Sequence, residues 1–138
     1  MKGYTHRVAY YETDKMGITH HSNYIRWMEE ARVDFLDQIG WNYRRLEENG
    51  IVSPVLNVNC RYRHSTTFDD IVSITAKVKD LTMVRMTISY EMKKSGTDEI
   101  VCTAESQHCF LDTAGKPIPL ESSYPEFYKA LKENMEQA

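Results

Sequence analysis

"HSNYIRWMEEARVDFLDQIG", residues 21 to 40, is the stretch on which the fold turns. Tyr24, Ile25, Trp27, Met28, Ala31, Phe35, Leu36 and Ile39 recur at helical spacing, yet they occupy more than one narrow stripe, so the helix they form is mostly buried. Ser22 or Asn23 is expected to cap its start. Gly40 ends it with the residue that tolerates the left-handed conformation favoured at helix C-termini.

Before this helix, "RVAYYETD" at residues 7–14 alternates weakly, as a first strand would, and a turn at Gly17 joins the two. After it comes a short polar helix, "YRRLEEN" (residues 43–49), ending at Gly50. The period then switches to two. "VLNVNCRYR" (55–63), "DIVSITAKVKD" (70–80), "VRMTISYEMKK" (84–94) and "IVCTAESQHCFLD" (100–112) read as four strands. In the first of these Leu56, Val58, Cys60 and Tyr62 share one face, and Asn57, Asn59, Arg61 and Arg63 the other. Short turns at "DLTM", "KSGTDE" and "DTAGKP" require antiparallel neighbours. A last amphipathic helix, "YPEFYKALKENMEQA" (124–138), carries Phe127, Leu131 and Met135. The expected order is strand, long helix, four-strand meander.

One buried helix followed by a long antiparallel sheet implies an α+β fold in which the sheet curls around the helix. A sheet of so few strands leaves its edges open, and pairing with a second copy would cover one, so at least a dimer is expected.

With 138 residues, 41% hydrophobic and 27% charged, the chain has the make-up of a single folded domain over residues 1–138. A net charge of -3 argues against general nucleic-acid binding. No apolar run is long enough to span a bilayer and the start lacks a signal-peptide pattern, so a cytoplasmic location is expected. Cys60, Cys102 and Cys109 lack the spacing of a zinc site and read as buried thiols. Adjacent histidines usually point their rings apart, so His20 and His21, with His6, do not suggest a metal, and no cofactor is expected.

The loop ahead of the helix holds the candidate chemistry. The pattern R-V-x-Y-x-E-T-D-x-x-G-x-x-x-H-x-N-Y, from Arg7 to Tyr24, followed by E-x-A-R-x-x-x-L-x-x-x-G from Glu29 to Gly40, resembles the hotdog-fold acyl-CoA thioesterases of the 4-hydroxybenzoyl-CoA thioesterase type. The later "RYRHSTTFDDIVSITAKV" (61–78) is similar to that family's strand-turn-strand unit. The chain departs from the common pattern at His20, where an aromatic residue is frequent.

The resemblance implies a hotdog fold, an antiparallel sheet wrapped around one long central helix, and hydrolysis of acyl-CoA, or of an acyl carrier protein thioester, to the free acid. It implies Asp14 as nucleophile or general base, and the amide of His21 as the group that polarises the thioester oxygen. It also implies catalysis at a subunit boundary in a homodimer or homotetramer.

Residue chemistry runs in the same direction. A thioester needs a carboxylate that attacks or activates water, and donors for the developing oxyanion, which the first turn of a helix supplies. Gly17 gives the loop a positive φ and a close backbone approach. Asn23 holds the loop or caps the helix, and Tyr24 follows it as a candidate substrate contact. Arg61 and Arg63, followed by His64, are candidates for coenzyme A phosphates.

Other readings stand beside these. Asp14 taken alone is a turn residue. Glu12 is more often an exposed strand acid, and is left out of the catalytic set. Glu29 is a rival carboxylate whose alternative is an ion pair with Arg32 or a sheet arginine. A noncatalytic acyl-thioester binder and an enoyl-thioester hydratase are the rival functions.

Overall fold

A computed structural model describes residues 2–135. Its five strands are β1 (Tyr4–Arg7), β2 (Val55–Tyr62), β3 (Ile71–Leu81), β4 (Arg85–Lys94) and β5 (Ile100–Cys109). The helices are α1 (Ser22–Gln38), α2 (Tyr43–Glu48), α3 (Leu120–Ser123) and α4 (Pro125–Lys132). One antiparallel sheet contains every strand in the order β1-β3-β4-β5-β2.

That order corrects the four-strand meander. Only β3, β4 and β5 follow one another across the sheet, because β1 occupies the outer edge of β3, with Tyr4 opposite Ile74. β2 therefore crosses to the far side and pairs with β5, Cys60 opposite Ala104. β2 becomes an edge strand and is exposed along nearly its whole length. The third expected turn, at residues 112–117, joins no two strands of the sheet. It leads from β5 to α3 through an isolated bridge between Leu111 and Pro117.

The first strand is also shifted from residues 7–14 to Tyr4–Arg7, and Tyr10–Glu12 form one 3-10 turn. The cause is the Glu12 side chain. It turns inward and accepts a hydrogen bond from the Ala9 amide at 2.8 Å, which folds the chain back on itself where a strand would have run straight on.

α1 places Trp27, Met28, Ala31, Phe35 and Leu36 in the core. It ends as the sequence indicates: Gly40 sits at φ 84°, its amide bonds to Asp37 O, and the Trp41 amide bonds to Leu36 O, so two otherwise orphan carbonyls are satisfied. α1 is the longest helix, and it shares the core with Leu46 of α2 and with Phe127 and Leu131 of α4. Met135 lies beyond α4, in a bridge with Val78, and residues 136–138 fall outside the described part. The inward faces read from β3 and β4 are buried, Val72, Ile74 and Val78 on one and Met86, Ile88, Tyr90 and Met92 on the other. Cys60, Cys102 and Cys109 are free thiols, of which Cys102 is buried and the other two half-buried.

Candidate active site

The loop from Thr13 to His21 is held at both ends before any catalytic role is considered. Thr13 and Thr19 form an antiparallel bridge, the Asp14 amide bonds to Ile18 O at 2.9 Å, and the Gly17 amide bonds to Asp14 O at 2.9 Å. Gly17 has φ 80°, a conformation that costs a residue with a Cβ about 1–2 kcal/mol. Nothing lies within 4 Å of where that Cβ would be, so the dihedral angle and not crowding calls for glycine.

Within the turn, Asp14 Oδ1 accepts the Met16 amide at 2.8 Å. This is the Asx-turn that an isolated aspartate usually makes. Asp14 nevertheless also lines a cavity of about 290 Å³ at the N-terminal end of α1, together with His21, Tyr24, Tyr62 and Arg63. One carboxylate oxygen shapes the loop, and no hydrogen bond within the described residues engages the other.

The helix tip differs from the expected one. His21, not Ser22 or Asn23, stands at the N-cap, and no side chain of its own caps the helix. The Ser22 amide donates to His20 Nδ1 at 3.2 Å, that of Asn23 to His20 O at 3.0 Å, and that of Tyr24 to His21 O at 3.3 Å. Among the described residues the His21 amide has no acceptor, so the positive end of the α1 dipole is open at that one N–H. The rings of His20 and His21 stack at 4.3 Å, contrary to the divergence expected of neighbours, because Ser22 Oγ holds the His20 ring at 2.8 Å.

Asn23 is buried and ties the loop rather than capping the helix, its Nδ2 donating to Glu12 O at 2.9 Å and His20 O at 3.3 Å. Tyr24 is buried too, its hydroxyl 3.0 Å from Thr66 Oγ1. Burial, the largest influence, pushes the Tyr24 phenol up, so the hydroxyl stays protonated near neutrality.

Arg61 and Arg63 part company because β2 ends at Tyr62. Arg63 turns to the rim of the Asp14 cavity, whereas Arg61 stays on the outer face of the sheet beside Asn59 and Lys77. Glu29 is exposed, does not line the Asp14 cavity, and makes no ion pair with Arg32 or a sheet arginine among the described residues.

Glu12 is where reading the sequence alone goes furthest astray. It is only 4% exposed. Its Oε1 meets His6 Nε2 at 2.8 Å and its Oε2 accepts Trp27 Nε1 at 2.7 Å, while its backbone oxygen accepts the His20 amide at 2.8 Å. Burial acts to raise its pKa, but the bonds from Ala9, His6 and Trp27 outweigh it, and the carboxyl lies below its ordinary value.

Thr19, Thr66 and Tyr62 are the other residues that sequence reasoning missed. Thr19 and Thr66 hydroxyls are 2.6 Å apart, and Thr19 donates its amide to Thr66 O at 2.8 Å, which pins the loop to the β2–β3 connection. Tyr62 donates to His21 O at 3.2 Å, and burial with the neighbouring Cys60 pushes its phenol up to about 12. Threonines in a polar connection carry no signal at the sequence level. Glu12 carried one, its place in the E-T-D run.

The geometry therefore joins a carboxylate, an open amide at a helix N-terminus and a cavity between them. Comparison with known proteins points the same way. The profile of the thioesterase-like superfamily matches residues 8–132. A protein of Aquifex aeolicus named as an esterase is 35% identical over 126 residues, covering 91% of this chain and 96% of its own. A 1,4-dihydroxy-2-naphthoyl-CoA hydrolase of Thermosynechococcus vestitus is 25% identical over 135 residues, 96% of this chain and 92% of its own. The crystal structure of a DHNA-CoA thioesterase from Staphylococcus aureus superposes with a TM-score of 0.88 at 29% identity, covering 96% of this chain and 89% of that one.

Proposed function

This chain belongs to the thioesterase-like superfamily and is a thioesterase, and on that footing we propose that it hydrolyses acyl-CoA thioesters to the free carboxylic acid and coenzyme A, with Asp14 as the reacting carboxylate. The observation that carries this reading is the cavity that Asp14 and His21 line together, at a helix end where one amide is open.

In the proposed reaction the thioester carbonyl oxygen accepts the His21 N–H. The free oxygen of Asp14 then either takes a proton from water, so that hydroxide adds to the carbonyl carbon, or adds to that carbon itself. Negative charge gathers on the carbonyl oxygen and is stabilised by the amide and the α1 dipole. The C–S bond breaks, and coenzyme A leaves as the thiolate and takes up a proton. In the second route water cleaves the resulting anhydride and regenerates Asp14.

Gly17 sets the turn that presents the carboxylate, and Asn23 and Tyr24 hold the walls. We assign Arg63 to the coenzyme A phosphates from the rim, and Arg61 to the same task from the outer face of β2 where a second subunit would meet it. In this reading the sheet curls about α1 as its centre. The exposed edge of β2 pairs with its counterpart in a homodimer, two of which form a homotetramer.

Release of thiol from an acyl-CoA panel tests the reading. Asp14→Asn keeps the acceptor for the Met16 amide, so folding is expected to persist while turnover falls about a hundredfold or more. Single turnover in ¹⁸O-water separates the routes, since label enters Asp14 only by way of an anhydride. Full activity in Asp14→Asn would overturn the assignment.

A further inference from the structure

A second, smaller cavity of about 100 Å³ lies between α1 and β2, deeper as measured along the helix from its N-terminal tip. Met28, Arg32, Tyr90, Ser106 and His108 line it, with Glu29 among the residues at its mouth. Exposed Ile25, Val55 and Val58 form its outer part, and the buried part of its wall is unusually polar. Arg32 is 6% exposed and His108 fully buried, and Arg32 Nη1 and His108 Nδ1 are buried nitrogens without a hydrogen-bond partner among the described residues.

The rest of the polar wall is satisfied. Tyr90 Oη, Ser106 Oγ and His108 Nε2 form a chain with both links at 2.7 Å. Burial first, and then the Arg32 charge, push His108 down to about 3, so the ring is neutral and does not compete with Arg32 as a cation. Arg32 itself has the Tyr43 ring 5.4 Å away and no carboxylate within ion-pair distance among the described residues. A buried guanidinium nitrogen left in that condition is unfavourable and calls for an acceptor.

The two cavities are strung along one line. Tyr24, Met28 and Arg32, spaced four apart, share a face of α1, and the first lines the Asp14 cavity while the other two line the deeper one. On β2, Tyr62 lines the first cavity and Val58 the second. Between them Cys60 Sγ touches Met28 Sδ at 3.5 Å, a contact of two adaptable side chains that an acyl chain can displace. From His21 to Arg32 the helix rises about 16 Å, and an arginine leaning back toward the N-terminus shortens the gap to about 10 Å, which suits a chain of roughly eight carbons.

We infer that the deeper cavity receives the far end of the acyl group, and that Arg32 selects acyl chains ending in a carboxylate, the ω-carboxyacyl thioesters, over plain alkyl ones. A carboxylate there pairs with the Arg32 guanidinium and completes the ion pair that Arg32 lacks among the described residues. The inference rests on the hydrolase reading for the position of the thioester.

The test compares suberyl-CoA with octanoyl-CoA, which differ only in the terminal group. Wild type is expected to prefer suberyl-CoA in kcat/KM by about tenfold or more, Arg32→Met to lose or reverse that preference, and Arg32→Lys to keep part of it. An equal loss on both substrates in Arg32→Met would mean a structural role and overturn the inference, as would a wild-type preference for octanoyl-CoA. Should Arg32→Met not fold, wild type decides alone: suberate must inhibit more strongly than octanoate, and the reverse order refutes it. If neither thioester is cleaved, the hydrolase reading is what fails. Thermal protection by the two ligands then decides, greater protection by suberyl-CoA supporting the role of Arg32 and equal protection overturning it.

Discussion

Trp27 Nε1 donates to Glu12 Oε2 across 2.7 Å, joining the second turn of α1 to the segment that leads into the Asp14 loop. Both residues are buried, so the bond is shielded from water and charge-assisted. Since the Glu12 backbone oxygen also accepts from His20 and Asn23, this one residue fixes where the loop begins and where the helix tip lies. Glu12 positions the candidate site and touches no reacting atom in the proposed chemistry.

Replacing Glu12 with Gln removes the charge from the bonds to His6, Ala9 and Trp27 while keeping the shape. The expected cost is about 2–4 kcal/mol of unfolding free energy, measured by urea denaturation. Because the folded carboxyl lies below its ordinary 4.5, its stabilisation is complete above that value and disappears as pH falls through the lowered one. The Gln variant therefore lacks that part of the acid dependence, and an unchanged urea midpoint at neutral pH would contradict this account of the loop.

His108 sets a separate acid limb. Its folded value is about 3 against an ordinary 6.5, so between those values the unfolded chain binds a proton that the folded chain refuses. Stability is complete above about 6.5 and declines toward 3, by at most about 1.4 kcal/mol per pH unit. Urea midpoints at a series of pH values check this, with His108→Gln expected to flatten the slope between pH 6 and 5.

At Gly17 the prediction separates backbone strain from crowding. Gly17→Ala is expected to cost about 1–2 kcal/mol, and Gly17→Asn less, because asparagine tolerates positive φ. Denaturation curves of the two variants give the comparison. Equal losses would show that something other than φ constrains the turn.

Leu56 is 47% exposed on the edge strand β2 and lines neither the Asp14 cavity nor the deeper one. If that edge is covered by a second copy, Leu56→Asp places a buried charge in the interface and yields monomers by light scattering, with thiol release lost in parallel. A variant that stays oligomeric and active would place the interface elsewhere.

Periodicity alone was enough to find α1, the strands β2 to β5 and the Gly40 stop, because burial of an apolar face leaves a local repeat of 3.6 or two residues. The resemblance of one short segment to a known family, and not periodicity, singled out Asp14, Gly17 and the His21–Tyr24 run. Sheet order lay beyond periodicity. Whether β2 joins β3 or β5 depends on which edge β1 has already taken, a contact between residues about seventy apart. Glu12 was lost for a related reason. An acid on an alternating strand and an acid folded onto Trp27 read alike in one dimension, and only the packed helix supplies the indole that makes the second arrangement stable.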